Sequence, residues 1–533
     1  MVLPVQRHCV TQWTLGSCPP EHADREVDVL VIAPSGRELR IPAFIDGSGA
    51  WRVRFSSGEL GRHAWRVEAF EVALGECEGE VEVVEYAGDN PLYAHGPLTV
   101  SNDRRYLQHA DGAPFLWLAD TWWMALCGRL HWPGEFARLT ADRVEKGFSV
   151  IQLVAGLFPD MGAFDPRGDN EAGWPWHEDW ARLNPAWWDL ADLRVEYLAS
   201  QGLAPCIVGC WGYYLPWLGV ERMKAHWRQI IARWGAYPVI WCLAGEGVMP
   251  WYLHKQTHQR DEDMTTQRAG WTEVGRYVQE ADPWERPVSI HPTRRGREQV
   301  EDDAVLDFEM LQTGHGDRAS LPSTVRSVVE ARAQQPAMPV INSEVCYEGI
   351  MESCREEVVR MMFWASILSG ACGHTYGANG IWQFNRAEAR YGPSPHGYSW
   401  GDRPWDDAMM LPGSAQLGRA KRLLERRQWW RIEPHPEWVE PRWSEQDHFQ
   451  PYAAGIAGQV RVVYIPWPVW GVKIKGIEPR ARYRAALVNP TNGHELDLGP
   501  LKPDAAGDWS IPLNRPPIYQ DWLLVLETEQ ARV

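Results

Sequence analysis

Basic residues are scarce in this chain of 533 residues: 53 Lys and Arg stand against 70 Asp and Glu, a formal net charge of −17 at pH 7. No basic stripe offsets the deficit, and phosphate binding needs clustered cations, so a nucleic-acid partner is excluded. No apolar run reaches membrane-spanning length, so no membrane partner is expected either. The opening MVLPVQRHCVTQWTLGSC lacks a charged segment followed by a long apolar one. No secretory signal is read there, and a cytoplasmic location is expected. The 10 Cys are scattered, and Cys206 with Cys210 has no second pair at metal spacing. Neither a disulfide framework nor a zinc site is signalled.

What is abundant is tryptophan, with 32 indoles. Large flat amphipathic side chains in that number suit a cleft where polar rings stack, although most single Trp residues serve as core. With 45% hydrophobic and 23% charged residues, the chain is globular and its core ample.

Three regions follow from periodicity. Residues 1–88 read as short alternating strands (EVDVLVIAP, RELRIPAFID, AWRVRFSS, HAWRVEAFEV, GEVEVVEYAG) with Gly-rich turns, the pattern of a small β-sandwich. YAGDNPLYAHGPL reads as linker. Within 89–430, eight short apolar runs alternate with amphipathic helical segments such as PGEFARLTADRVEKG and EEVVRMMFWASILSG. The predicted strands are 115–120, 148–156, 203–211, 239–246, 286–291, 306–312, 339–344 and 373–382. Eight such units fit a (β/α)8 TIM barrel. A doubly wound sheet is the alternative, but no GxGxxG follows the first strand, which also argues against a dinucleotide. Residues 431–533 return to alternation (GQVRVVYIPWP, RYRAALVNP, HELDLGPL, GDWSIPLN, DWLLVLE), with NPTNG as a hairpin turn, a second small β-sandwich.

Barrels collect reactive groups at the C-terminal ends of their strands. Those ends supply Asp120, Gln152, Glu246, His291, Gln312 with His315, Glu344, and Tyr376, Asn379 and Trp382. Carboxylates on strands four and seven face each other across a barrel mouth. Glycoside hydrolysis needs such a pair, one holding a proton for the leaving oxygen and the other meeting the anomeric carbon. Glu246 is therefore the expected acid/base and Glu344 the expected nucleophile. Asp120, Trp122, Gln152, Trp211, His291, Gln312, His315, Tyr347, Tyr376 and Trp382 are candidates for holding substrate. Glu348, four residues past strand seven, is expected mainly to support its loop. The polar loop 158–179 is expected to shape the site, but its acidic residues lack DxDxDG spacing, so no metal is expected. A metal-dependent hydrolase would want an HxH pair on strand one, which carries LADTWW instead.

The order VIWCLAGE then PVINSE resembles the clan A retaining glycosidases, many of which carry Asn where this chain has Gly245. More specifically, DGAPFLWLADTWW, EKGFSVIQ, FEMLQTGH, INSEVCYEG and GHTYGANGIWQFN resemble, in order, the motifs of the apiosidase-like catalytic domain of glycoside hydrolase family 140. The flanking regions resemble the β-sandwiches that often accompany it. The resemblance implies an exo-acting retaining hydrolase of plant or microbial oligosaccharides or glycosides, with two carboxylates and no cofactor. The family commonly has Asp in a GGD-type motif after strand four; this chain has AGE. The competing reading is a non-catalytic carbohydrate-binding protein on the same scaffold, which predicts that one of the two carboxylates is missing. Sugar identity and oligomeric state are open at this level.

Overall fold

The computed structural model describes residues 4–19, 22, 25–68, 77–469, 471–512 and 517–528. In the front region, a five-stranded sheet (Pro4–Gln6, Asp28–Ile32, Glu38–Pro42, Gly61–Glu68, Glu78–Val84) faces a three-stranded one (Thr11–Ser17, Phe44–Ile45, Ala50–Phe55). Alternating residues such as Val29, Val31, Ile41, Val53 and Trp65 point between the sheets and form their own core. The end of the predicted strand HAWRVEAFEV, residues 69–72, lies outside the described residues. The stretch read as linker holds more order than expected. Asn90 caps a short turn of helix at Pro91–Ala94, and Leu98–Val100 opens a small sheet with Leu107–His109 and Pro114–Phe115.

The central region is a barrel of eight parallel strands. They are β1 (Trp117–Thr121), β2 (Val150–Val154), β3 (Ala204–Val208), β4 (Ile240–Cys242), β5 (Val288–Ser289), β6 (Glu309–Gln312), β7 (Val340–Glu344) and β8 (Gly373–Tyr376). Each named residue of β1, β2, β3 and β7 is buried, because helices cover the outside while side chains fill the inside. Except for β5 and β6, neighbours in sequence are neighbours in the sheet, and β1 also pairs with β8. That closure rules out a doubly wound sheet. Between β5 and β6 no ladder forms. Instead Asp307 N–H donates to Val288 O (2.7 Å), Val288 N–H donates to Asp307 Oδ2 (2.9 Å), and Ser289 Oγ donates to Phe308 O (2.7 Å).

Seven helices of eight residues or more serve the barrel: α1 (Gly134–Lys146), α2 (Pro185–Ser200), α3 (Val220–Trp234), α4 (Thr257–Ala281), α5 (Leu321–Ala333), α6 (Glu356–Leu368) and α7 (Pro412–Glu425). The step from β5 to β6 uses two short 3₁₀ turns in place of a helix. The last predicted strand, 373–382, forms a ladder only as far as Tyr376; a single bridge then joins Ala378 to Glu348, and the rest is a loop on the rim.

Buried charges fasten the flanking sheets to the barrel. Arg54 and Arg233 both reach Asp192 at 2.7 Å on the front side, and Arg360 binds Asp521 through two nitrogens at 2.9 and 2.6 Å at the back. Removing one partner from such a pair is costly. The back region is a six-stranded sheet with strands such as Tyr452–Ile456, Val460–Ile465 and Trp522–Thr528, beside a smaller three-stranded one. NPTNG joins Tyr483–Val488 to Glu495–Pro500 as an antiparallel hairpin. The predicted strand GDWSIPLN is paired at Trp509–Ser510, and its last two residues lie outside the described set. Among the described residues, no helix is long and apolar enough to cross a membrane.

Candidate active site

Glu344 ends β7 and is buried. The β6–β7 register slips by one residue after Leu311, so Gln312 lies beside Glu344 and both side chains turn into the barrel mouth. Glu246 follows β4 with φ at 45°, a left-handed backbone that non-glycine residues rarely adopt. The surrounding backbone over-determines this strained turn. Gly245 N–H donates to Cys210 O (2.8 Å), Gly212 N–H to Gly245 O (2.8 Å) and Gly247 N–H to His291 O (3.1 Å). Gly245 has a second duty, because a Cβ there would come within 2.2 Å of the Trp211 ring. The space that a side chain would need is filled by that indole.

The two carboxylates share one donor. Gln312 Nε2 lies 3.0 Å from Glu246 Oε1 and 3.1 Å from Glu344 Oε1. Glu344 also accepts from His315 Nε2 (2.8 Å) and Tyr347 Oη (2.5 Å), and His291 Nε2 stands 3.3 Å from its Oε2. Trp123 Nε1 donates to Tyr347 Oη at 3.0 Å and fixes that hydroxyl. These neighbours split the pair electrostatically. Burial alone would raise the Glu344 carboxyl, but hydrogen bonds from His291 and His315 hold it well below the usual carboxylate range. Burial pushes Glu246 up to about 7, and the charge on Glu344 adds to the shift. His315 is raised, since its hydrogen bond to the Glu344 carboxylate outweighs burial. One group is thus an anion and its neighbour a proton carrier near neutrality, the division an acid and a nucleophile require.

Both carboxylates line a cavity of about 280 Å³, at the small end for ligand pockets. Its walls are aromatic: Trp123, Trp211, Tyr252, Tyr347, Trp382 and Trp400. Long loops border it. Trp400 Nε1 donates to Asp160 Oδ2 (2.7 Å), Tyr391 Oη donates to Pro159 O (3.2 Å), and Met351 N–H donates to Trp400 O (3.3 Å). The loops after β2, β7 and β8 are thereby tied together over the mouth. The indole N–H groups of Trp211 and Trp382 are buried without a hydrogen-bond partner among the described residues.

Of the residues singled out in the sequence, Glu246, Glu344, Trp211, Gln312, His315, Tyr347 and Trp382 meet at this cavity. His291 stands behind Glu344 and does not line it. Gln152 lies inside the barrel below the mouth, where Thr375 Oγ1 donates to it at 2.9 Å and its amide faces Ser343 O. Asp120, Trp122 and Tyr376 are on the far side of the wall. Asp120 accepts from Arg143 Nε (2.6 Å), Trp122 Nε1 (2.7 Å) and Thr121 N–H (2.9 Å), and is fully buried. Their expected contact with substrate is corrected: Asp120 instead faces Arg143 of α1 and Trp122 donates to it, while Trp123, in the turn after β1, lines the cavity. Tyr376 Oη donates to Glu348 Oε2 at 2.6 Å, and Glu348 also accepts from Gly413 N–H (3.0 Å) at the start of α7. Glu348 is the loop support it was expected to be, joined to a helix N-terminus.

Sequence reasoning passed over Trp123, Asp160, Met249, Tyr252, Ile350, His396 and Trp400. All but Trp123 come from loops. The forecast that loop 158–179 shapes the site holds at its first residues, Pro159 and Asp160.

The model of the "Apiosidase-like, catalytic domain" matches residues 101–431, and that of a "Domain of unknown function (DUF5060)" matches residues 16–70. The chain belongs to the apiosidase-like family of glycoside hydrolases. Three solved structures share its fold. One, named only as a glycoside hydrolase, is 21% identical over 83% of this chain and 99% of its own, with a TM-score of 0.69. A family 5 glycoside hydrolase from Bacteroides vulgatus is 22% identical over 82% and 93%, with a TM-score of 0.68. A putative glycoside hydrolase from the same organism is 16% identical over 98% and 99%, with a TM-score of 0.71. Comparison with curated proteins gives no match. In the apiosidase-like domain, then, the barrel mouth carries two carboxylates joined through one glutamine.

Proposed function

We propose that this glycoside hydrolase works by retention, releasing one terminal sugar (apiose or another pentose, furanose or deoxysugar) from an oligosaccharide or glycoside. The carrying observation is the Gln312 bridge. With 3.0 and 3.1 Å to its two partners, the facing oxygens of Glu246 and Glu344 are no farther apart than those bonds laid end to end. That supports the roughly 5–5.5 Å spacing of retaining enzymes over the roughly 6.5–9.5 Å of inverting ones.

In the first step a Glu344 oxygen bonds to the anomeric carbon while the glycosidic bond breaks, and Glu246 passes its proton to the departing oxygen. In the second, Glu246 takes a proton from water, the water oxygen bonds to the anomeric carbon, and the ester to Glu344 breaks. Tyr347, His315 and Gln312 hold the Glu344 oxygens in place while their charge moves into the new bond. Exo action is supported by the small size of the cavity, about 280 Å³.

A panel of 4-nitrophenyl glycosides tests the reading, covering apiose, arabinofuranose, galactofuranose, rhamnose, xylose, glucose and galactose. Release of one sugar is expected, with the first-formed product keeping the substrate's anomeric configuration by proton NMR. Inversion, or chain cleavage at internal bonds, rejects it.

A further inference from the structure

Asp160 is a third carboxylate in the cavity. It sits in the loop after β2, is 5% exposed and has φ at 60°. Among the described residues, no Lys or Arg lies within ion-pair distance of its carboxylate. The nearby Arg167 pairs with Asp165 at 2.7 Å and reaches only the Asp160 backbone oxygen, at 3.3 Å. Its carboxylate is instead held by neutral donors, the Trp400 indole at 2.7 Å and the Tyr252 hydroxyl. A buried carboxylate has about four acceptor positions, and leaving them empty is costly. Two remain, on a wall shared with Glu246, Tyr252 and Trp400. The Trp211 and Trp382 indoles, also in the cavity lining, are more than nine-tenths buried. None of the described residues lining the cavity is Lys or Arg.

We infer that Asp160 is a specificity-determining residue that accepts hydrogen bonds from two adjacent hydroxyls of a neutral terminal sugar, and that uronic and sulfated sugars are excluded. This rests on the glycosidase reading above. A carboxylate between neutral donors and a cavity is matched by a diol, each hydroxyl donating to one oxygen. A sugar that brings its own anion would enter a space lined by three carboxyl groups and no Lys or Arg, with His315 already engaged by Glu344, where like charges repel strongly at low dielectric. Trp400 then has two duties, closing the wall and aiming Asp160.

The test measures kcat/KM of wild type and Asp160→Asn on the best-hydrolysed neutral 4-nitrophenyl glycoside and on each of its monodeoxy analogues, with 4-nitrophenyl glucuronide as the charged control. Asp160→Asn should lower kcat/KM on the parent sugar by roughly a hundredfold, mainly through KM. On the analogue missing the hydroxyl that Asp160 accepts, the loss should shrink to within about threefold. An equal loss on the parent and every analogue would make Asp160 a loop strut and overturn the inference, as would a glucuronide turned over as fast as the neutral sugar. Binding separates this from failure of the glycosidase reading. If no glycoside is cleaved, indole fluorescence of Glu344→Gln is titrated with the same panel. Binding of neutral glycosides that Asp160→Asn abolishes keeps the inference and sinks the glycosidase reading; absence of any neutral binding sinks the inference.

Discussion

Two buried carboxylate clusters stand on opposite faces of the same barrel wall, four residues apart in sequence. Glu344 faces the mouth, where its partners are His291, His315, Gln312 and Tyr347, and space remains beside it. Glu348 faces outward, where with Asp120 it meets Arg143, Tyr376, Trp122 and the backbone of α7, and neither carboxylate lines the cavity at the mouth. The outer cluster is held by a cation, indole, hydroxyl and amide groups. The inner one is held by groups that can release a proton or give way to substrate. Burial of a carboxylate therefore does not mark function by itself; burial beside an unfilled space does.

The contrast breaks most sharply at Glu344. Glu344→Gln should lower kcat by at least ~10⁴-fold while leaving the thermal midpoint within a few degrees, and activity near wild type would contradict its role. Next is Glu246→Ala, expected to cost ~10²–10⁴-fold on substrates with poor leaving groups, to cost little on activated aryl glycosides, and to recover with azide. Because Glu246 must carry a proton and its carboxyl is pushed up to about 7, kcat/KM of the wild type should fall as pH rises through about 7. That limb should vanish in the alanine variant.

On the other face, Arg143→Met should cost about 3–5 kcal/mol of stability by stranding Asp120, read as a shift in the denaturant midpoint. Turnover per folded molecule should be unchanged. The smallest effect is expected at Glu348, which burial pushes up to about 7 from an ordinary 4.5. The unfolded chain gives up this proton first, so the stability that Glu348 supports at low pH drains away as pH rises from about 4.5 through about 7. Glu348→Gln removes that dependence. Its stability relative to wild type should therefore rise across this window by up to about 3 kcal/mol, and a flat difference would argue against burial as the cause.

Much of this was legible in the sequence, and what was missed has physical causes. Strand count, hydrophobic runs and strand-end carboxylates located Glu246 and Glu344, because each barrel strand opens onto one rim. Parity was not legible at LADTWW. In a strand covered on both faces, every residue is buried and the inward–outward alternation leaves no polar trace, so Asp120 and Trp122 were assigned to the mouth and Trp123 was passed over. Asp160, Tyr252, His396 and Trp400 come from loops whose paths depend on contacts hundreds of residues apart, such as Trp400 on Asp160. The 25-residue α4 was not singled out, since its long polar start gives little apolar rhythm.

The contact between Trp211 and Gly245 also bears on how such a site can change over time. A side chain at 245 would meet the indole within 2.2 Å, so an amide placed just before Glu246 requires Trp211 to move or to be replaced by a smaller residue, and the two substitutions are coupled by geometry.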